Sequence, residues 1–107
     1  MNSADKIMGY FRDGKTIVAG PCAIESREQI IRISSKIAAL GVKFLRGGAY
    51  KPRTCPESFQ GLGMEGLQYI REAADKNNMY VVSEILDSCQ IEAANKYIDV
   101  IQVGSRN

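Results

Sequence analysis

Short apolar runs alternate with helical patterns along the 107-residue chain. The runs are rich in β-branched residues and are bounded by Gly, Asp or Asn, as is typical of buried strands. Segments with helical spacing of apolar positions separate the runs. The pattern therefore predicts four buried strands joined by helices. The strands are predicted at residues 16–20, 42–46, 80–85 and 100–104.

Each interval between the predicted strands carries helix signals. Ser26, with Gln29 three residues later, makes a capping box, and Gly41 supplies the stop of the first helix. The second helix is expected to end near Asn77 and Asn78, because asparagine tolerates left-handed geometry. The apolar face of the second helix is predicted to comprise Leu67, Ile70, Ala73 and Ala74. That of the third helix is predicted to comprise Ile91, Ala94 and Tyr97, and Asp87 or Ser88 is expected to cap this helix.

The first fifteen residues do not fit the alternating pattern. We predict a strand up to Tyr10, followed by a hairpin turn at Arg-Asp-Gly-Lys, residues 12–15. Residues 1–15 are therefore treated as an N-terminal strand and hairpin extension. Residues 16–107 form the main unit.

The alternation of strands and helices predicts an α/β fold with a parallel sheet and right-handed crossovers. A doubly wound dinucleotide-binding sheet would require G-x-G-x-x-G after the first strand, but residues 20–25 are Gly-Pro-Cys-Ala-Ile-Glu. We therefore predict the (β/α)8 TIM-barrel family. Because a complete barrel takes roughly 250 residues, the chain is expected to supply about the first four strands, a half-barrel.

Composition narrows the possible functions. The formal net charge of +2 is small, and the scattered basic residues do not indicate a nucleic-acid interface. No apolar run approaches the roughly 20 residues that cross a bilayer. The N-terminus lacks the basic-then-apolar order of a secretory signal, so we expect a cytoplasmic protein. Cys22, Cys55 and Cys89 contain no C-x-x-C pair, which argues against a disulfide framework or a self-contained zinc site.

Charged and polar residues collect where the predicted strands end, and this is where parallel α/β folds place their working residues. The loop after the second strand is long for a βα connection of about 2 to 6 residues and contains several of them. Four cations with one nearby carboxylate favour an anionic ligand, since a buried charge is costly unless it is paired. The candidates are Cys22, Arg46, Lys51, Pro52, Arg53, Thr54, Glu84, Gln102, Ser105 and Arg106.

Four motifs carry a family resemblance. They are Gly-Pro-Cys-Ala-Ile-Glu-Ser at 20–26, Leu-Arg-Gly-Gly-Ala-Tyr-Lys-Pro-Arg-Thr at 45–54, Ser-Phe-Gln-Gly-Leu-Gly at 58–63 and Gln-Val-Gly-Ser-Arg-Asn at 102–107. With them the chain resembles 3-deoxy-D-arabino-heptulosonate 7-phosphate synthase from residue 16 onward. The sister enzyme that makes 3-deoxy-D-manno-octulosonate 8-phosphate typically has Asn-Arg where this chain has Lys51-Pro52-Arg53, which favours the heptulosonate enzyme.

The resemblance implies a transferase that condenses phosphoenolpyruvate with erythrose 4-phosphate, the first step of the shikimate pathway to aromatic amino acids. In such enzymes a divalent metal polarises the aldehyde, the enol carbon attacks it, water adds to the former C2 and phosphate leaves. Cys22 matches a metal ligand and, with Lys51, is assigned as catalytic. The substrate-binding assignments are Arg46, Lys51, Ser105 and Arg106 for phosphoenolpyruvate, and Arg53 and Thr54, spaced by Pro52, for the sugar phosphate. Glu84 is not assigned by the resemblance; its strand-end position suggests that it orients Lys51 or Arg106, or contacts a substrate water.

The resemblance also implies what the chain lacks. The family's divalent metal, such as Mn, Fe or Zn, is held by a His, a Glu and an Asp from later strands in addition to the cysteine. This sequence contains no histidine. We therefore expect that the isolated chain neither binds metal tightly nor turns over substrate.

Several alternatives stay open from the sequence. The chain is a fragment of a synthase, one half of a split enzyme, or a non-catalytic phosphate-binding or assembly module. Apolar strand edges predict a homo-oligomer or a complementing second half-barrel. Taken alone, Arg46 could pair with Glu84, and Gln102 is interpreted as a hydrogen-bonding residue of the barrel interior. Cys55 and Cys89 are assigned to structural positions.

Overall fold

The structure, a computed structural model, describes residues 3–50, 61–86 and 90–104. Helices and strands alternate after an initial helix. The elements are α1 (Ser3–Arg12), β1 (Val18–Ala19), α2 (Arg27–Ala39), β2 (Phe44–Arg46), α3 (Met64–Lys76), β3 (Tyr80–Glu84), α4 (Ile91–Tyr97) and β4 (Val100–Gln102).

All four strands run parallel, and their order in the sheet, β1-β2-β3-β4, is their order in the chain. A doubly wound sheet would place its first strand in the interior, because the order reverses beside it. Here β1 lies at an edge. The topology is therefore that of consecutive βα units of a barrel, as the sequence predicts.

The main core lies between one face of the sheet and helices α2, α3 and α4. Leu45 of β2 and Val81 of β3 are fully buried against Ile30 of α2 and Ile70 of α3. These apolar positions recur at helical spacing in the helices and at alternate positions in the strands, so each element presents one apolar side to the core.

The predicted cap of α2 is confirmed at Ser26, whereas the Gln29 side chain bonds to the amide of Glu25, one residue before the cap. The Ser26 hydroxyl accepts a hydrogen bond from the Gln29 amide at 3.0 Å, and the Gln29 side chain accepts one from the Glu25 amide at 2.8 Å. Helix α3 ends at Lys76, and Asn78 follows with a positive φ of 54°. The start of α2 and the end of α3 therefore lie where the sequence predicted them.

The prediction of a strand and hairpin before residue 16 is wrong, because Ser3–Arg12 forms helix α1. Its Tyr10 and Phe11 rings contact Phe44 of β2, with ring centroids 5.7 and 5.2 Å apart. These contacts place α1 on the sheet face opposite α2–α4. The Asp-Gly pair that suggested a hairpin turn instead follows the helix, where Gly14 has a φ of 68°.

The prediction of four buried strands holds only for β2 and β3. Strands β1 and β4 are partly exposed to solvent. Val18 of β1 is 38% exposed, and Ile101 of β4 is 36% exposed. The physical reason is that each lies at an edge of the sheet. Ile91 of α4 is also exposed rather than buried with Ala94. The predicted caps Asp87 and Ser88 lie outside the described residues.

Among residues 3–50, 61–86 and 90–104, none of the helices has the length and apolar composition that a membrane span requires.

Candidate functional site at the carboxyl edge of the sheet

Polar side chains end three neighbouring strands at one edge of the sheet. Arg46 ends β2, Glu84 ends β3 and Gln102 ends β4. The register pairs Arg46 with Val82 and Glu84 with Gln102, and side chains two residues apart in a strand point to the same face. All three therefore lie on the face opposite α2–α4, which we call the inner face.

A hydrogen bond joins two of these side chains across the intervening strand. The Nε of Arg46 donates to the Oε1 of Gln102 at 3.1 Å, and both groups are partly buried. The sequence offered Glu84 as a partner of Arg46, but the group that its Nε contacts is Gln102. The sequence placed Gln102 in the barrel interior and missed this pairing, which depends on the register of three strands.

The loops that follow β1 and β2 are joined beyond the ends of the strands. The amide of Ile24 donates to the carbonyl of Gly48 at 2.9 Å, and the amide of Gly48 donates to the carbonyl of Cys22 at 3.2 Å. Ala23 and Gly48 form an isolated parallel bridge. The segment that carries the exposed Cys22 thiol is therefore fixed to the segment that follows Arg46.

Gly47 is packed against apolar side chains of the loop after β1 and of α3. An added Cβ would come within 2.8 Å of Ile24 and 3.1 Å of Ile70. The Gly47 carbonyl accepts a hydrogen bond from the buried Ser83 hydroxyl at 2.7 Å, and its amide donates to Val82 at 3.2 Å. Glycine is therefore required here by close packing against α3 and the loop after β1.

The two described ends of the long loop after β2 are close together. The Gly63 amide donates to the Ala49 carbonyl at 2.9 Å, and a Cβ on Gly61 would lie 2.0 Å from the same carbonyl oxygen. The chain therefore leaves and rejoins the fold at one point, beside the carboxyl end of β2. Lys51, Pro52, Arg53, Thr54 and Cys55 lie outside the described residues, as do Cys89, Ser105 and Arg106.

Among the described residues, Cys22 is the one that the sequence predicts as a metal ligand. Its exposed thiol lies just beyond the carboxyl end of β1, but no group of three or more His, Cys, Asp or Glu side chains within the described ranges could hold an ion. A divalent cation normally takes three or four protein ligands. The residues that the structure describes thus do not form a complete site for such a cation.

A groove of about 210 Å³ lies at the opposite, amino-terminal edge of the sheet, beside α1. Its walls combine aromatic and aliphatic side chains with Asp13, Lys15 and Lys43. None of the candidate residues within the described ranges lines this groove. The chemistry predicted from the sequence therefore belongs to the carboxyl edge, where Arg46, Glu84 and Gln102 converge.

The chain is similar to enzymes of known class. The model of the DAHP synthetase I family matches residues 3–107. The phospho-2-dehydro-3-deoxyheptonate aldolase of Thermotoga maritima is 56% identical over 99 residues, which are 92% of this chain and 28% of that protein. A 2-dehydro-3-deoxyphosphooctonate aldolase of Koribacter versatilis is 32% identical over 94 residues, covering 81% of this chain and 34% of that protein.

Solved structures give the same result. The crystal structure of the DAHP synthase of Thermotoga maritima superposes with a TM-score of 0.82 at 56% identity, over 86% of this chain and 27% of that one. A truncated form of 3-deoxy-D-arabino-heptulosonate 7-phosphate synthase from the same organism superposes with a TM-score of 0.74 at 51% identity, over 86% and 32% of the two chains.

The chain spans about a quarter to a third of the length of these relatives. The four parallel strands with their helices are part of a TIM barrel, so the predicted fold is confirmed. Because the family model covers the chain from residue 3 to its last residue, the resemblance drawn from the four motifs is confirmed as well. The chain belongs to the DAHP synthetase I family.

Proposed function

We propose that the protein condenses phosphoenolpyruvate with erythrose 4-phosphate to give 3-deoxy-D-arabino-heptulosonate 7-phosphate and inorganic phosphate. The observation that carries the proposal is the position of Arg46. It presents a guanidinium on the inner face at the carboxyl edge of the sheet, in a chain 56% identical to a heptulosonate aldolase. A cytoplasmic location and a place in aromatic amino acid biosynthesis are parts of this proposal.

The charge of Arg46 suits an anionic substrate. Its Nε is bonded to a neutral amide, which leaves the positive charge uncompensated by that partner. A partly buried cation is stabilised by an anion that completes its hydrogen bonds, and guanidinium matches carboxylate and phosphate geometry. We assign Arg46 to phosphoenolpyruvate, together with Lys51, Ser105 and Arg106.

The second substrate is assigned to the loop after β2. Arg53 and Thr54 would take the phosphate of erythrose 4-phosphate, with Pro52 fixing their distance from Lys51. Because Ala49 and Gly63 are hydrogen-bonded, both ends of this loop are anchored beside Arg46. Glu84, on the next strand of the same edge, would orient Lys51 or Arg106.

The reaction forms one carbon–carbon bond and one carbon–oxygen bond, the latter to water, and breaks the carbon–oxygen bond from C2 to the phosphate, while the aldehyde oxygen takes up a proton. C3 of phosphoenolpyruvate bonds to the aldehyde carbon of erythrose 4-phosphate, water adds to C2, and inorganic phosphate leaves. The role proposed for this chain is to hold two anionic substrates side by side against their mutual repulsion, so that the reacting carbons meet in one orientation.

The proposal includes a divalent cation with Cys22 as one ligand. The described residues do not complete such a site, and the sequence contains no histidine. The remaining ligands would come from residues beyond these 107. We therefore assign to this chain the binding of substrates and the supply of one thiolate ligand, and derive no further step from the metal.

The octulosonate reaction is the less supported alternative. The octulosonate aldolase of Koribacter versatilis is 32% identical to this chain, against 56% for the heptulosonate aldolase. The Lys51-Pro52-Arg53 sequence also favours the heptulosonate reaction. The two reactions differ in the sugar phosphate, so they are distinguished by the choice of aldehyde substrate.

The test is phosphate release by the full-length protein, purified with its metal. Release should require phosphoenolpyruvate and erythrose 4-phosphate together, and Arg46→Ala should lower kcat/KM at least about tenfold through the loss of charge-assisted hydrogen bonds. Arg32→Ala, on the exposed side of α2, is the matched control and should leave kcat/KM unchanged.

Two outcomes would contradict the proposal. Release with arabinose 5-phosphate but not with erythrose 4-phosphate would assign the octulosonate reaction. Binding of phosphoenolpyruvate without turnover of either aldehyde would assign a non-catalytic binding module.

A further inference from the structure

Gln102 lies where it can control the orientation of Arg46. The two residues are 56 positions apart, on β4 and β2, and their side chains meet in front of β3 through the 3.1 Å bond from Arg46 Nε to Gln102 Oε1. No backbone pairing joins β2 to β4, because β3 lies between them. The contact is therefore made by these side chains and not imposed by strand pairing.

The atom that Gln102 contacts determines which part of the guanidinium remains available. A guanidinium has five N–H donors, one on Nε and four on the two terminal nitrogens. With Nε bonded to Gln102, the pair of terminal nitrogens forms the end of the side chain. Two parallel N–H groups at that end match the two oxygens of a carboxylate or phosphate.

The neutrality of the amide also matters. Arg27 and Arg71 donate instead to carboxylates, those of Glu72 at 2.9 Å and Asp99 at 2.8 Å, and so form ion pairs that hold elements together. A glutamine accepts the Nε hydrogen without neutralising the guanidinium. Arg46 is thus oriented while its charge stays available to an anion.

The neighbour of Gln102 explains why an amide suits this position. The register places Glu84 directly opposite Gln102 on β3. A carboxylate at 102 would put two like charges on adjacent strands, which is unfavourable. An amide supplies the acceptor that Arg46 needs without a second negative charge.

We infer that Gln102 is a positioning residue, which holds Arg46 so that its two terminal nitrogens face the anionic group of phosphoenolpyruvate. This inference rests on the proposed function. Gln102 acts through Arg46 and not on the reacting atoms. Its loss should therefore affect the substrate that Arg46 binds and leave the other substrate unaffected.

The experiment measures phosphoenolpyruvate binding by calorimetry and the KM for each substrate, in the full-length protein. Gln102→Met keeps the size of the side chain but removes the amide, and should raise the Kd for phosphoenolpyruvate about tenfold. The KM for erythrose 4-phosphate should stay the same. Ile101→Met, on the opposite face of the same strand, is the control and should change neither value.

A double-mutant cycle separates positioning from general damage. Arg46→Lys removes the planar guanidinium that Gln102 orients, so adding Gln102→Met to it should raise the Kd no further. Gln102→Glu retains the acceptor but pairs with the Arg46 charge, and should also weaken phosphoenolpyruvate binding.

The outcomes are distinguishable. If the wild-type protein binds no phosphoenolpyruvate, the proposed function itself fails. If the wild type binds it and Gln102→Met binds equally well, only the positioning role fails. Equal losses for both substrates, or additive losses in the double variant, would assign Gln102 a purely structural role. Should Gln102→Met not fold, unchanged affinity in Gln102→Glu would overturn the inference.

Discussion

Gly20 follows β1 and lies against the backbone of Arg46 at the end of β2. A Cβ on Gly20 would lie 1.8 Å from the Arg46 carbonyl oxygen and 2.8 Å from its carbonyl carbon. Both atoms belong to the backbone, so a side-chain rotation cannot relieve the overlap. The glycine of the Gly-Pro-Cys motif is therefore required by the chain's own packing.

We expect Gly20→Ala to lower the free energy of unfolding by about 1–3 kcal/mol, the usual cost of overpacking. Gly9→Ala is the control, because a Cβ there meets nothing within 4 Å and the residue is helical. It should raise stability by about 0.5–1 kcal/mol. Urea unfolding of the three proteins measures both changes, and equal stability of wild type and Gly20→Ala would contradict the contact.

At the residue scale, hydrogen bonds between residues close in sequence were predictable, whereas those between residues far apart in sequence were not. The bond between Ser26 and Gln29 joins residues three apart, and the local pattern of the chain specifies it. The bond from Arg46 to Gln102 depends on the relative shift of three strands. No sequence pattern specifies that shift, so only the strand-end position of each residue could be predicted.

At the scale of elements, Arg71 connects α3 to the chain between α4 and β4. Its Nη1 donates to Asp99 at 2.8 Å, and Asp99 also accepts from the Val81 amide at 2.7 Å. Burial lowers the pKa of Arg71, but hydrogen bonds and charges from Asp99 and then Asp75 raise it more, so the net pKa lies above its ordinary value. The raised pKa reflects the preference of Asp99 and Asp75 for the charged guanidinium.

Asp99→Ala should cost about 1.5–3 kcal/mol of unfolding free energy, because a partly buried cation and a strand amide both lose an acceptor. Asp75→Ala is a matched control, since Asp75 also pairs with Arg71 but its side chain is 66% exposed. That change should cost less than about 0.5 kcal/mol. Equal losses for the two variants in denaturant unfolding would show that the bond to Val81 contributes nothing.

Helix α1 forms where the sequence predicted a strand and a hairpin. Asp13 and Gly14 fit a hairpin turn, but they fit the end of a helix equally well, because glycine adopts a positive φ in both. What decides between them is the aromatic contact of Tyr10 and Phe11 with Phe44. That contact lies more than thirty residues away in sequence and is not encoded in the local pattern. The boundary at residue 16 stays a prediction.

At the scale of the whole molecule, the two edge strands expose apolar side chains. Ile17 beside β1 is 64% exposed, and Val103 beside β4 is 72% exposed. Unpaired strand edges with apolar neighbours favour pairing with another strand. The architecture was predictable because it follows from the order of helices and strands, whereas the local sequence pattern does not specify which strand would pair with these edges.

An isolated polypeptide of these 107 residues should therefore self-associate, with a dimer or larger species in light scattering. Replacing both exposed residues, Ile17→Lys with Val103→Lys, should shift it toward monomer because charged edges resist pairing. Met64→Lys, an exposed apolar position at the start of α3, is the control and should leave the distribution unchanged. A monomeric parent polypeptide would contradict this prediction.

The agreement between strand order in the sheet and strand order in the chain bears on how the molecule is made. Each strand pairs with the strand that precedes it in the chain, so a strand that leaves the ribosome has its partner already synthesised. Parallel pairing is usually slow because distant segments must meet. Within the described ranges, one helix lies between each pair of successive strands, so the core around Leu45 and Val81 can begin to form while the chain is still growing.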